Sequence, residues 1–258
     1  MNITFNKYQG AGNDFIIIDN RNGKLNPSDS KLINKLCDRR FGIGADGLIL
    51  ISKDSQSDFE MKYFNSDGYI GSMCGNGGRC TSHFALQTGI AGKKQRFLAF
   101  DGIHEAFVEK DNVRLQMSNV NEYKLVDDNY FLNTGSPHYV IFREDIDNID
   151  VYQEGKNIRW SSKFAPGGTN VDFVQVQDKG LYIRTFERGV EEETLACGTG
   201  VTASAIASVL KGHFDTNMVN VRARGGNLKV EFEIKNEIIT NIWLSGPATY
   251  VFSGEIEI

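Results

Sequence analysis

At 258 residues the chain has room for one large domain or two of about 125 residues each, and either is long enough to bury a sizeable core. Apolar residues make up 40%, charged residues 24%, and prolines number four, which excludes disordered and collagen-like chains. A formal net charge of -5 argues against a generic binder of nucleic acid or anionic membrane, because such a protein needs a basic face.

The opening MNITFNKYQGAGNDF has no apolar signal core, and no later run reaches the roughly 18 apolar residues of a bilayer span, so the expected compartment is the cytoplasm. GNDFIII at 12–18 predicts a strand entered from a glycine turn. SDSKLINKLCDR at 28–39 predicts a helix with Ser28 as its N-cap. GADGLILI at 44–51 and FEMKYFN at 59–65 predict two more strands. After Cys74-Gly-Asn-Gly, residues 78–88 carry small and apolar side chains at helical spacing and stop at Gly89, a C-cap glycine. DGIHEAFVEKDNVRLQM at 101–117 reads as two strands joined by a charged turn.

The second half repeats this order: GSPHYVIF at 135–142, GTNVDFVQV at 168–176, LYIRTFE at 181–187, Cys197-Gly-Thr-Gly, a helix over 201–211 closing at Gly212, and GGNLKVEFEIKNEIITNIWL at 225–244. The spacing hardly drifts, with 197 − 74 = 123 for the cysteines and 212 − 89 = 123 for the glycines. A chance likeness would not keep its register, so the chain reads as two copies of one domain, 1–118 and 119–258. The 201–211 helix is almost wholly apolar, as a helix wrapped by its own sheet would be. The expected fold is α/β (α+β), with two pseudo-symmetric domains, each a curved, mostly antiparallel sheet or barrel around a central helix.

Four cysteines, Cys37, Cys74, Cys80 and Cys197, are too few for a disulfide framework and are expected to stay reduced. No pair has C-x-x-C spacing, so neither a zinc ribbon nor a thioredoxin-like motif is indicated. Cys74 and Cys197 each precede a predicted helix, where unpaired N–H groups and the helix dipole favour an anion. A thiol there, starting near about 8.5, is expected to fall toward neutrality and to serve as base or acid. The bare Gly-x-Gly amides suit a ligand carboxylate or phosphate. Two thiols on opposite faces of one carbon would invert it, one removing a proton and the other delivering one. The carbanion would need two helix N-termini in a water-excluded cleft, since no P-loop is present and nothing compels a pyridoxal or metal cofactor.

These residues resemble the diaminopimelate epimerase family over essentially the whole chain. The likeness is carried by GAGNDF at 10–15, GIGADG at 42–47, FNSDG at 64–68, MCGNGGRC at 73–80, GSPH at 135–138, TNVDFV at 169–174, FERG at 186–189 and ETLACGTG at 193–200. It implies a cofactor-independent, metal-free enzyme that converts LL-2,6-diaminopimelate to the meso form for lysine and peptidoglycan precursor synthesis. The partner is then a small amino-acid substrate, with no nucleic acid and no membrane, and a homodimer is compatible. By the same resemblance Cys74 and Cys197 are the acid and base, with His138 and Glu187 near the reacting centre. Asn13, Asn65, Asn170, Glu187 and Arg188 would bind substrate, joined by Gly75, Asn76, Gly198 and Thr199 of the turns and by Ser136. GPATYVFSGEIEI at 246–258 resembles the family's closing strand, so the domains become 1–118 with 246–258 packed back on it, and 119–245. Two positions depart from the commonest pattern: Gly47, where many members have Gln, and Ser136, where many have Asn.

Blander readings stand beside these. Free cysteine is among the most buried residue types, so Cys37 and Cys80 are assigned to the core. His138 follows Pro137 in a turn, and His83, His104 and His213 have no catalytic support. Glu187 and Arg188 can be a surface pair worth little. The acidic run 191–193 is a solvated loop or the acidic approach to a helix, and Gly23, Gly92 and Gly155 simply make turns. Two alternative functions stay open: a proline racemase-like two-thiol enzyme of the same fold, and a non-catalytic binder of a small anion that needs the glycines but not the thiols. A phenazine-biosynthesis-type isomerase would not need the paired thiols.

Overall fold

The computed structural model describes residues 2–258. The chain divides into two compact units, one running to Leu115 and completed by Gly246–Ile258, the other Gln116–Ser245. The elements begin with β1 (Asn2–Gly10), β2 (Asn13–Asp19), α1 (Ser30–Cys37), β3 (Gly47–Ser52), β4 (Phe59–Asn65), α2 (Gly75–Gln87), β5 (Lys94–Ala99), β6 (Gly102–Glu109) and β7 (Asn112–Gln116). They continue with β8 (Tyr123–Val126), β9 (Asn129–Asn133), β10 (Pro137–Phe142), α3 (Val151–Arg159), β11 (Asn170–Gln177), β12 (Gly180–Glu187) and the short β13 (Glu192–Thr194). The chain closes with α4 (Gly198–Leu210), β14 (Met218–Ala223), β15 (Gly226–Lys235), β16 (Ile238–Pro247) and β17 (Thr249–Glu257).

In the first unit the strands pair in the order β17-β1-β2-β3-β4-β5-β6-β7, all antiparallel except β2–β3 and β4–β5. In the second the order is β8-β9-β10-β11-β12-β14-β15-β16, all antiparallel except β10–β11 and β12–β14. The two ladders share one pattern, with β17 in the place that β8 holds in the other copy. A parallel step needs a crossover, and each of the four contains a helix: α1, α2, α3 and α4 in turn.

Helix α2 is buried from Gly75 to Ala85 and packs against β1, β2, β3, β4, β6 and β17. Helix α4 is buried from Gly198 to Ser208 and packs against β9, β10, β11, β12, β14 and β15. One helix can touch that many strands only if the sheet curves around it, which is the mostly antiparallel α+β arrangement the patterning predicts. Strand β3 lies between α1 and α2 and is buried on both faces, so its GLILIS is continuously apolar rather than alternating. A further apolar layer forms where Ile33 and Leu36 of α1 meet Ile16, Ile18, Leu48 and Leu50. Its counterpart joins Val151 of α3 to Tyr139, Ile141, Phe173 and Phe186.

Several local expectations change. Both central helices start three residues earlier than predicted, so the Cys-Gly-x-Gly glycines form the first turn instead of preceding it. The N-cap of α1 is Asp29, whose carboxylate accepts from Leu32 N at 3.0 Å, and not Ser28. Helix α3 is not anticipated by the sequence reading. Gly155, expected in a turn, sits in the middle of α3, where a Cβ would stand 2.4 Å from Phe186 Cβ. Among the described residues no helix is long and apolar enough to cross a membrane.

Candidate active site

Cys74 and Cys197 are the N-caps of α2 and α4, with nearly identical backbones at φ -105°, ψ 114° and φ -108°, ψ 113°. Extended geometry at the cap leaves the first-turn amides without intrahelical partners. The Gly77 amide donates to Cys74 Sγ at 3.4 Å. The surroundings of the two sulfurs, in contrast, share almost nothing.

Cys74 is half-buried, and its thiol points at Asn13 Oδ1, 3.7 Å away. Asn76 Nδ2 donates to the same oxygen at 3.3 Å, while Asn13 Nδ2 donates to Asp46 Oδ2 at 2.7 Å. Asp46 is fixed in turn by Arg39, which also grips Asp14. Burial pushes the Asp14 carboxyl up, but bonds from Arg39 and Lys7 outweigh it and hold Asp14 well below the usual carboxylate range. On the far side of Asn76 lies Arg79, fully buried, whose Nη2 donates to Asn76 Oδ1 at 2.8 Å. Its other bonds, at 3.4 Å each, go to the Gly75 and Pro247 carbonyls, and among the described residues no carboxylate pairs with it. Burial lowers its pKa, against an opposing pull from the Cys80 and Cys74 sulfurs. Asn65 ends β4 exposed to solvent and makes no side-chain hydrogen bond among the described residues.

Cys197 is buried, and its Sγ lies 3.3 Å from Thr199 Oγ1. Thr199 Oγ1 is 2.8 Å from His138 Nε2, and His138 Nδ1 is 2.7 Å from Asp172 Oδ2. Thr185 donates to the other carboxylate oxygen at 2.7 Å. Ser136 Oγ stands 3.1 Å from His138 Nε2 and 3.2 Å from Thr199 Oγ1, and it accepts from Asn170 Nδ2 at 3.0 Å. Asn170 Oδ1 accepts from the Arg188 amide at 2.8 Å, and Thr194 donates to Glu187 Oε2 at 2.9 Å. The structure thus gathers Ser136, His138, Asn170 and Thr199 into one cluster at Cys197. His138 belongs to β10 and is fully buried, so it is not the turn residue its position after Pro137 predicts.

The expected fall of the thiol pKa does not hold for Cys197. Burial pushes it well above the ordinary value and the Glu187 and Asp172 charges push the same way, while the Thr199 hydroxyl and Gly200 amide pull against them. A helix N-terminus lowers a thiol pKa only where it outweighs desolvation, and here it does not.

Sequence reasoning missed Asp172, Thr185, Arg79 and Tyr63. A lone Asp in the apolar run of TNVDFV is the signal for the first, since a buried carboxylate demands a partner. Tyr63 bears on the Gly47 departure. A Cβ at Gly47 would stand 2.5 Å from both Phe64 O and the Tyr63 ring, so the ring fills the space a side chain there would need. The acidic run is not simply solvated: Glu193 is clasped by Arg184 through two bonds of 2.8 Å and by Arg224, and Glu191 pairs with Arg159.

The family model described as diaminopimelate epimerase matches residues 5–123 and 130–251. A protein named diaminopimelate epimerase from Flavobacterium psychrophilum is 51% identical over 252 residues, covering 97% of this chain and 98% of that one. Its namesake from Chlorobaculum tepidum is 45% identical over 260 residues, covering 96% and 98%. Among solved structures, a Bacillus anthracis phenazine biosynthesis protein of the PhzF family superposes with a TM-score of 0.79 at 16% identity, covering all of both chains. A probable proline racemase from Agrobacterium radiobacter gives 0.72 at 14% identity, covering 99% of this chain and 93% of that one. The distant pair share only the fold. The near-complete relatives and the family match establish the lineage: this chain belongs to the diaminopimelate epimerase family.

Proposed function

We propose that the protein converts LL-2,6-diaminopimelate to the meso isomer without a cofactor, supplying lysine and peptidoglycan precursor synthesis, with Cys74 and Cys197 alternating as base and acid. The observation that carries this reading is a thiol at the N-cap of each central helix, in one backbone conformation, in a chain about half identical to named epimerases.

In this reading one thiolate takes the proton from the α carbon and the opposite thiol delivers another, so configuration inverts and the thiols exchange roles. Both sulfurs must then reach that carbon from opposite faces. The amides of Gly75 and Asn76, and of Gly198 and Thr199, offer first-turn donors to the substrate carboxylate as charge builds beside it. Asn13, Asn65, Asn170, Glu187 and Arg188 supply the remaining contacts to carboxylate and ammonium groups. Because burial and two carboxylates keep the Cys197 thiol protonated, Cys197 enters as the acid and Cys74 as the base.

The test is incubation of the purified protein with LL-diaminopimelate in heavy water. Meso isomer carrying deuterium at the α carbon is the expected product. Absence of exchange, together with turnover of proline or another amino acid, would replace this substrate with that of the proline racemase-like alternative.

A further inference from the structure

We propose that Thr199 and Asp172 form, with His138, a proton relay that serves Cys197: Thr199 carries the proton between sulfur and imidazole, and Asp172 positions the imidazole to receive it. The proposal rests on the two-thiol reading, because only an enzyme whose thiols exchange roles needs Cys197 to become a thiolate.

The geometry runs in one line through the second unit. An ionised carboxylate can only accept, and both Asp172 oxygens are engaged, Oδ1 by the Thr185 hydroxyl and Oδ2 by His138 Nδ1. Nδ1 therefore carries the ring proton and Nε2 presents a lone pair. Three groups surround that nitrogen, and Thr199 Oγ1 at 2.8 Å is nearer than Ser136 Oγ at 3.1 Å or Asn170 Nδ2 at 3.4 Å. The same Thr199 oxygen lies 3.3 Å from Cys197 Sγ. Asp172 and His138 are wholly inaccessible to solvent, so bulk water does not compete for the imidazole. Gly200 keeps the pair close to the helix, since a Cβ there would stand 2.5 Å from Asp172 Oδ1 and 3.1 Å from His138 Cε1. Glu187 is the other carboxylate acting on the sulfur, and its charge opposes ionisation as that of Asp172 does. Cys197 is thus a thiol with strong reason to stay protonated, connected to one acceptor.

The transfer balances without any outside reagent. The Cys197 S–H bond breaks with its electron pair left on sulfur, and the proton forms a new O–H bond at Thr199. The original Thr199 O–H bond breaks, and its proton forms an N–H bond at His138 Nε2. Thr199 ends unchanged, and the imidazolium is held against the Asp172 carboxylate. The reverse transfer reprotonates the sulfur. Asp172 touches neither sulfur nor substrate in this scheme; it is a positioning residue.

The test uses the full-length protein with iodoacetamide at about pH 8, reading alkylation of Cys197 against Cys74 in the same sample by mass spectrometry. Asp172→Asn and Thr199→Val are expected to lower the Cys197-to-Cys74 rate ratio by at least about tenfold, while Thr199→Ser restores it to within about twofold. A ratio unmoved in both Asp172→Asn and Thr199→Val, or raised in Asp172→Asn as loss of an opposing charge alone would do, overturns the relay. So does a Thr199→Ser protein that behaves like Thr199→Val, because the methyl group and not the hydroxyl would then be what matters. Should Asp172→Asn fail to fold, as its melting curve would show, the two Thr199 variants decide the matter alone. The readout does not involve substrate, so a relay that behaves as expected in a protein inactive on LL-diaminopimelate would refute the proposed function and leave the relay standing.

Discussion

The two cysteine turns are the same backbone in opposite chemical company. At Cys74 the neighbours are two asparagines and a buried guanidinium; at Cys197 they are a threonine, a histidine and the charges of two carboxylates. The last residue of Cys-Gly-x-Gly shows the divergence most directly. A Cβ on Gly77 would meet the tips of Ile49 and Met61, at 3.2 and 3.3 Å, and Cys74 Cβ at 3.4 Å, whereas one on Gly200 would strike the Asp172 carboxylate at 2.5 Å. One anion-favouring cap occurs twice, and the residues around each cap give its sulfur a different electrostatic setting.

Removing either sulfur should have the largest effect. Cys74→Ala and Cys197→Ala are each expected to lower epimerisation by about 10²–10⁴-fold while ligand binding survives. Unchanged turnover in both would leave only the anion-binding alternative. Next comes the glycine pair. Gly200→Ala should destabilise the protein by about 1–3 kcal/mol through the clash with Asp172, and Gly77→Ala should stay within about 1 kcal/mol of wild type, helped by alanine's better helix propensity. Urea unfolding of the two proteins checks this, and equal losses would mean the two turns are not differently crowded. Third, Arg79→Met removes a cation whose equivalent in α4 is Thr202, whose hydroxyl donates to Gly198 O of its own helix. Alkylation of Cys74 near pH 8 should slow on the order of tenfold, with Cys197 unaffected, because a neighbouring guanidinium favours the thiolate.

Much of this was legible in the sequence. Constant spacing exposed the repeat, alternation and β-branched runs exposed the strands, and glycine turns exposed the caps. What escaped depends on contacts between residues far apart in the chain. Helix α3 was hidden by Gly155, which weakens the helical pattern but lets the helix lie against Phe186. Asp172 read as one polar letter in an apolar strand, because its partner His138 lies on the neighbouring strand β10 and only parallel pairing brings them together. Ser136, expected to bind substrate, has its hydroxyl engaged within the His138–Thr199 cluster, which its place after a glycine turn does not reveal. Arg79 is one charged letter within MCGNGGRC, and nothing local says that the face it occupies is sealed by the sheet.

The last effect, absent at neutral pH, follows from a core residue. Cys80 is buried in α2, and its burial pushes the thiol up to about 12 from an ordinary 9.0, with Arg79 pulling down and Cys74 pushing up. Below pH 9 the thiol is protonated whether the chain is folded or not and contributes nothing to pH dependence. Between 9 and 12 the unfolded chain releases its proton while the folded one keeps it, so the unfolded state binds fewer protons and stability falls with rising pH, by up to about 1.4 kcal/mol per unit. Cys37, likewise pushed to about 12 by burial, adds a second contribution of the same sign. The position in α4 equivalent to Cys80 is Ala203, so Cys80→Ala makes the first central helix resemble the second. Urea unfolding from about pH 9 to 11 should then give a shallower decline than wild type by up to about 1.4 kcal/mol per unit. Parallel slopes would mean that Cys80 ionises inside the folded protein, which its complete burial beneath the sheet forbids unless that part of α2 opens first.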